Sequence, residues 1–162
     1  MIAIFRRAGS VAAVATAAVA LTLASPASPA SAAPVSAAAA AKKSVQIITV
    51  QYDSPGTDRG SSKSLNDEWV LIKNTGKKSR KITGFTLSDK ASHVYTFKKR
   101  TLKPGQTIRV HTGNGDDTKS NKFWDKDWYV WNNDGDTATL RTAKGTKVDS
   151  CTWDGGEQKQ SC

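Results

Sequence analysis

Short segments that alternate between apolar and polar residues constrain the fold of this chain most strongly. Two of them, TIRVH at 107–111 and TATLR at 137–141, alternate without interruption. The inward-facing residues that they predict are Ile108, Val110, Ala138 and Leu140. A period of two residues is that of a β-strand with one buried face. We therefore expect a fold built from short, half-buried strands.

The chain contains other strand-like segments, which are separated by turn residues. They are 45–50, 68–73 (EWVLIK), 82–87 (ITGFTL), 93–97 (HVYTF) and 146–153. EWVLIK is apolar on both faces, which predicts a strand buried on both sides. Gly, Asn, Asp and Pro punctuate the connections, as in Lys103-Pro104-Gly105, and no helix is predicted after residue 43. Short strands at this spacing predict an all-β fold, an antiparallel sandwich or barrel.

The first 32 residues are predicted to be a signal peptide. Arg6 and Arg7 precede a 16-residue apolar run, 8–23, and Ala30-Ser31-Ala32 forms a cleavage signal. The run is short for a membrane helix of roughly 20 residues, although an uncleaved anchor is the alternative. Cleavage would leave 162 − 32 = 130 residues, enough for one domain, with 33–43 as a disordered Ala-rich leader. We expect a secreted or cell-surface protein with no transmembrane segment in its mature chain.

The charge of the predicted mature chain is uneven. Residues 33–110 hold 15 Lys and Arg against 5 Asp and Glu, whereas residues 111–162 hold 7 against 9. A basic excess favours anionic partners such as nucleic acid or an anionic wall polymer. Solubility alone is the alternative explanation.

The two cysteines, Cys151 and Cys162, are predicted to form a disulfide. An even cysteine count in an exported chain is typical of disulfide bonding. The loop between them would stabilise the fold by about 2–3 kcal/mol on the chain-entropy estimate. It would hold the C-terminal tail, 154–162, against the last strand.

A series of motifs resembles the lamin tail domain family. The most specific is WNNDGD at 131–136, and the others follow in the family's order: NDEWV with NTG, ITGFTLSD, YTF, LKPG and VHTG. Phe85 stands where the family usually has tryptophan. The resemblance covers roughly 44–153 and implies an immunoglobulin-like antiparallel β-sandwich. It also implies a secreted or surface module, which in other bacterial members is sometimes fused to a hydrolase.

The cluster at 132–136 is predicted to be a structural turn. Its members are Asn132, Asn133, Asp134, Gly135 and Asp136. Asp-Gly between strands favours a hairpin turn, with Val130 and Trp131 on the strand before it. A calcium site is the alternative, but three side chains offer too few oxygens unless 116–117 contributes. A turn alone predicts that Asp136→Asn is nearly neutral.

Two basic runs form the candidate binding site. They lie between predicted strands and consist of Lys77, Lys78, Arg80 and Lys81, and of Lys98, Lys99 and Arg100. If both runs emerge at one end of the sandwich, they form a patch that could neutralise phosphates without reading sequence. Solvated loop charge is the alternative.

Catalysis has little support in the sequence. His93 and His111 are the only neutral-pH bases, and both fall in predicted strands without a catalytic motif. The aromatic stretch 123–129 is predicted to pack on the sandwich, with a glycan platform as the alternative. No cofactor and no metal are expected.

The sequence leaves three functional hypotheses. The first is a non-catalytic exported binding module that contacts extracellular DNA or a cell-wall polymer through its basic loops. The second is a structural or protein-interaction module of the envelope, and the third is a small hydrolase or nuclease.

Overall fold

This computed structural model describes residues 43–162, which fold into eleven strands and one helix. In chain order they are β1 (Val45–Gln51), α1 (Ser62–Asp67), β2 (Trp69–Asn74), β3 (Arg80–Lys81), β4 (Thr86–Ser88), β5 (Val94–Thr96), β6 (Thr101–Leu102), β7 (Thr107–His111), β8 (Asn121–Phe123), β9 (Asp136–Arg141), β10 (Lys147–Trp153) and β11 (Lys159–Ser161). The predicted signal peptide (1–32) and residues 33–42 lie outside the described residues.

The strands form two main sheets and a small ribbon. One sheet has the order β11-β1-β2-β7-β8, the other has the order β10-β9-β4-β5, and β3 pairs with β6. All these pairs are antiparallel except β7 with β8, which is parallel. The prediction of an all-β, immunoglobulin-like sandwich is confirmed.

The core lies between the inner faces of the two sheets. The four residues predicted to face inward on β7 and β9 are all buried, with at most 1% of each exposed. Burial of a Leu or Ile side chain contributes about 1.5–3 kcal/mol relative to exposure. The alternation in the sequence therefore identified the two strands correctly.

The prediction that β2 is buried on both faces is wrong. Val70 and Ile72 are buried, whereas Trp69 and Leu71 are half-buried on the outer face. The Arg109 guanidinium of neighbouring β7 lies 4.1 Å from the centroid of the Trp69 ring. The long cationic side chain of Arg109 thus covers Trp69, which the sequence pattern predicted to be buried in the protein interior.

Two local elements differ from the sequence prediction. The segment ITGFTL begins with a turn, in which Phe85 N donates to Ile82 O at 3.0 Å, and the strand starts only at Thr86. Gly84 has φ +77°, which interrupts an extended chain. Helix α1 was not predicted; Ser61 caps it by accepting from Ser64 N at 3.2 Å.

The Cys151–Cys162 disulfide is confirmed, with the two Cα atoms 5.7 Å apart. The tail that precedes Cys162 forms β11, which pairs with β1 and not with the last strand of the other sheet. Cys162 N donates to Ile48 O at 2.9 Å. Because Cys151 lies in β10, the disulfide joins one sheet to the edge strand of the other.

Candidate functional site

The fold brings the two predicted basic runs together. Arg80 and Lys81 form β3, and their antiparallel partners are Leu102 and Thr101 of β6. The pairing continues beyond the ribbon, since Ile82 N donates to Arg100 O at 3.0 Å. Antiparallel pairing therefore places Arg80 and Lys81 beside the end of the second basic run.

The second run lies along the turn that follows β3. Gly84 N donates to Phe97 O at 2.8 Å, and Arg100 N donates to the Thr83 hydroxyl at 3.0 Å. Lys98 and Lys99 lie between these two contacts and are exposed. All members of both runs are exposed except Arg100, which is half-buried.

Asn74 connects the first basic run to β6 by hydrogen bonds. Its side-chain amide donates to Lys78 O and to Leu102 O, both at 2.9 Å, and its carbonyl oxygen accepts from Gly76 N at 3.0 Å. Asn74 is fully buried. A single side chain thus fixes the loop of Lys77 and Lys78 to the strand that follows Arg100.

A groove beside the ribbon adds two cations that the sequence analysis missed. The groove has a volume of about 660 Å³, and its charged lining residues are Arg100, Lys103 and Lys119. The Arg100 guanidinium donates to the Lys119 carbonyl oxygen. Lys103 follows the second run closely in sequence, whereas only the fold reveals Lys119. We call the seven residues of the two runs, with Lys103 and Lys119, the basic surface.

Few acids offset this charge. From Trp69 to Gly115 the chain has 11 Lys and Arg and one acid, Asp89. That acid is buried and bonds to His93. Within residues 43–162, no member of the basic surface forms an ion pair with a carboxylate. The surface therefore carries an excess of positive charge, which attracts anions.

The segment 132–135 forms a turn, but not the predicted hairpin. Gly135 N donates to Asn132 O at 3.3 Å, so the central residues are Asn133 and Asp134 rather than Asp134 and Gly135. Val130 and Trp131 lie outside any strand. Their N–H groups donate instead to the buried carboxyl of Glu68, at 3.2 and 2.9 Å.

Asp136 holds this turn to the rest of the sandwich. Its carboxylate accepts from the backbone N–H groups of Lys90, Asn132 and Thr137, at 3.0, 3.3 and 2.6 Å. These donors engage both carboxylate oxygens of Asp136, one of the three side chains in the calcium hypothesis. In the described part of the chain, no group of three or more His, Cys, Asp or Glu side chains is placed to hold a metal ion.

The contacts of Asp136 change the expectation that Asp136→Asn is nearly neutral. An amide retains one acceptor oxygen and turns an NH2 group toward backbone donors, so at least one partly buried N–H group loses its partner. We expect the free energy of unfolding to fall by about 1–3 kcal/mol. Urea unfolding of wild type and variant measures this, with exposed Asp134→Asn as the control. An unchanged midpoint for Asp136→Asn would contradict the anchoring role.

The histidines and the aromatic stretch have structural surroundings. His93 lies just before β5 and not within a strand, whereas His111 lies in β7 and stacks on Phe123 with ring centroids 5.0 Å apart. Trp124 packs against the core, as predicted for the stretch, but Trp128 is 63% exposed. Within residues 43–162, the hydrogen-bond partners of the two imidazole rings are Asp89, the Asn66 carbonyl and Asn121, and none is a serine or cysteine.

Comparisons with known proteins agree with this architecture. A family model described as Lamin Tail Domain matches residues 38–155. A search of curated proteins found no match. Within residues 43–162, no helix is long and apolar enough to cross a membrane. Since the matched residues make up most of the chain and fold as the expected sandwich, the chain belongs to the lamin tail domain family.

Proposed function

We propose that this lamin tail domain is an exported binding module that contacts an anionic polymer, extracellular DNA or a cell-wall polymer, through the basic surface. Membership of the family supports a non-catalytic, immunoglobulin-like binding module in general. The anionic partner and the export are our proposals for this chain.

The observation that carries the proposal is the convergence of two basic runs on the β3–β6 ribbon. The register places Lys81 opposite Thr101, and Asn74 bonds to both Lys78 O and Leu102 O. The cations are therefore held on a rigid part of the fold and not on independent loops. Double-stranded DNA carries about one charge per 1.7 Å of axis, so a compact group of cations can contact several phosphates at once.

The chemistry of the basic surface favours charge recognition without sequence recognition. Seven of its nine cations are Lys, which act as point charges toward phosphate, and the Arg100 guanidinium already donates to the Lys119 carbonyl oxygen. Each phosphate that is neutralised releases counterions, which makes the affinity fall with salt. We therefore expect similar affinity for duplexes of different sequence.

A charge-removal experiment tests the proposal. The variant Lys77→Gln, Lys78→Gln, Arg80→Gln, Lys81→Gln should bind duplex DNA more weakly. The slope of log K against log salt should become shallower by up to about 0.9 for each lost phosphate contact. The free energy of unfolding should change by less than about 0.5 kcal/mol, since these side chains are exposed. Fluorescence anisotropy between about 50 and 200 mM salt measures the slope.

A matched variant separates local contact from net charge. Arg141, Lys144, Lys147 and Lys159 are exposed and lie outside the basic surface. Their replacement by Gln removes the same charge but should leave most of the salt slope intact. Equal losses in both variants would show that net charge alone drives binding. Absence of wild-type binding to DNA and to teichoic acid at about 50 mM salt would refute the proposal and favour a structural module.

Export has a separate test. We expect material recovered from outside the producing cell to begin at or after Ala33, because Ala30-Ser31-Ala32 is a cleavage signal. Intact-mass analysis with and without reductant would give the N-terminus and the state of Cys151 and Cys162. A secreted chain that retains residues 1–32 would contradict cleavage.

A further inference from the structure

The β5 strand presents an open edge of its sheet. Phe97 N donates to Phe85 O at 2.9 Å, and Tyr95 is registered with Leu87. In an antiparallel ladder, bonded and non-bonded residue pairs alternate. The N–H and C=O groups of Val94 and Thr96 therefore face away from β4, and within residues 43–162 they have no hydrogen-bond partner.

The β8 edge of the other sheet is covered by the chain itself. On β8, Asn121 N donates to the Thr118 hydroxyl at 3.0 Å, Thr118 N donates to Asn121 O at 2.9 Å, and Phe123 N donates to Asp117 Oδ1 at 3.1 Å. Such devices prevent an edge from pairing with another chain. β5 has none of them.

The open edge is also rigid. Before β5, Asp89 accepts from both His93 N and His93 Nδ1, at 2.7 and 2.6 Å. After it, Phe97 is buried in the core, and Tyr95 contacts Phe97 edge to face with centroids 5.0 Å apart. Because the strand is already in its extended conformation, an added strand would lose little binding energy to ordering it.

A groove of about 520 Å³ runs beside this edge, between β5 and the end of β8. Its floor is aromatic, formed by Tyr95, Phe123 and Trp124, while Val94 on its rim is 53% exposed. Exposed apolar surface of this kind at an unpaired edge is typical of an interaction site.

Carboxylates give the groove its charge preference. Asp117 and Asp125 line it with Lys98, and Asp117 pairs with Lys122 at 3.0 Å. Asp125 is exposed and has no ion pair within the described residues. Burial and then the negative charges of both carboxylates raise the pKa of Tyr95 to about 12. An unpaired carboxylate beside an apolar floor favours an occupant with a basic side chain.

We infer that β5 binds an extended segment of a partner protein as an additional strand, with an apolar side chain on the aromatic floor and a basic side chain against Asp125. Strand addition obtains affinity from the main chain and specificity from alternate side chains. A second copy of this chain is disfavoured as the occupant. Residues 43–162 hold 21 Lys and Arg against 14 Asp and Glu, so two copies carry the same net positive charge and repel each other.

Two labelled peptides of about six residues, alternating Val with Lys and Val with Glu, serve as probes. Both are titrated into the variant that lacks the charges of Lys77, Lys78, Arg80 and Lys81, which removes four of the nine cations of the basic surface and so weakens its capture of the acidic peptide. We expect the lysine peptide to bind at least about tenfold more tightly than the glutamate peptide. Amide exchange at Val94 and Thr96 should slow on binding, while exchange at Tyr95 should not change.

Thr96→Pro tests the edge directly. Proline removes the outward N–H without breaking a bond to β4, a position that edge strands tolerate. Affinity for the lysine peptide should fall by about tenfold or more, whereas Thr96→Ala should retain it. Unchanged affinity in Thr96→Pro, or unchanged exchange at Val94 and Thr96 with bound peptide, would overturn the inference. Slowed exchange with rising protein concentration alone would overturn the choice of occupant in favour of a second copy.

Discussion

Replacement of Asn74 by Asp is expected to lower the free energy of unfolding by about 3–5 kcal/mol, the effect of an unpaired buried charge. The Asn74 amide donates to Lys78 O and Leu102 O, and it is fully buried. Aspartate would replace the two donated hydrogens with an oxygen that faces two carbonyl oxygens. The side chain would have to take up a proton or force the loops apart, and either change destabilises the folded state.

Asn114→Asp provides the matched control, because Asn114 is exposed and the chemical change is the same. Urea unfolding at neutral pH should show a large decrease for Asn74→Asp and almost none for Asn114→Asp. Under conditions where Asn74→Asp stays folded, its DNA affinity should also fall, since Lys78 and Arg100 would no longer be held together. Equal stabilities of the two variants would rule out the proposed role of Asn74.

The second large effect is a dependence of stability on pH that originates in Glu68. Glu68 has no exposed surface, and burial raises its pKa to about 8, against the opposing effects of the Thr112 hydroxyl and the two N–H groups of Val130 and Trp131. The folded state then binds more protons than the unfolded state above the ordinary carboxyl pKa of 4.5. A group of this kind stabilises the fold at low pH and loses that contribution as the pH rises.

Stability should therefore decrease between about pH 5 and pH 8, by an amount on the order of 3–5 kcal/mol from this one group. Glu68→Gln removes the titration and should flatten the profile, whereas exposed Glu157→Gln should leave it unchanged. Chemical unfolding at several pH values measures both variants. Wild-type protein that is equally stable at pH 5 and pH 8 would show that Glu68 ionises normally. A wild-type profile that Glu68→Gln does not alter between pH 5 and pH 8 would show the same.

The sequence predicted best those parts of the fold that depend on local pattern. The alternation in TIRVH and TATLR identified β7 and β9, because a strand with one buried face needs that period. The cysteine pair identified a disulfide, because two cysteines in a chain predicted to be exported have one intramolecular pairing. Neither inference required knowledge of which elements are neighbours.

The parts that the sequence did not predict depend on long-range contacts. Val130 and Trp131 look like a strand, but their N–H groups bond to a carboxyl more than sixty positions earlier in the chain. Trp69 looks like part of a second buried face of β2, but in the fold the Arg109 guanidinium stacks on its ring. Likewise Lys119 joins the basic surface only because the fold brings it to Arg100. Pattern and propensity carry no information about such pairings.

The disulfide between β10 and the end of β11 also guards the protein against aggregation. β11 is only three residues long, and within residues 43–162 it alone pairs with the outer edge of β1 along Thr49–Gln51. β1 has the sequence VQIITVQ, rich in β-branched residues and without charge or proline. A segment of that composition templates intermolecular sheets once its edge is free. Without the covalent link, a strand of only three residues would have to hold this edge by its hydrogen bonds, so the disulfide helps to keep the β-branched edge of β1 from pairing with another molecule.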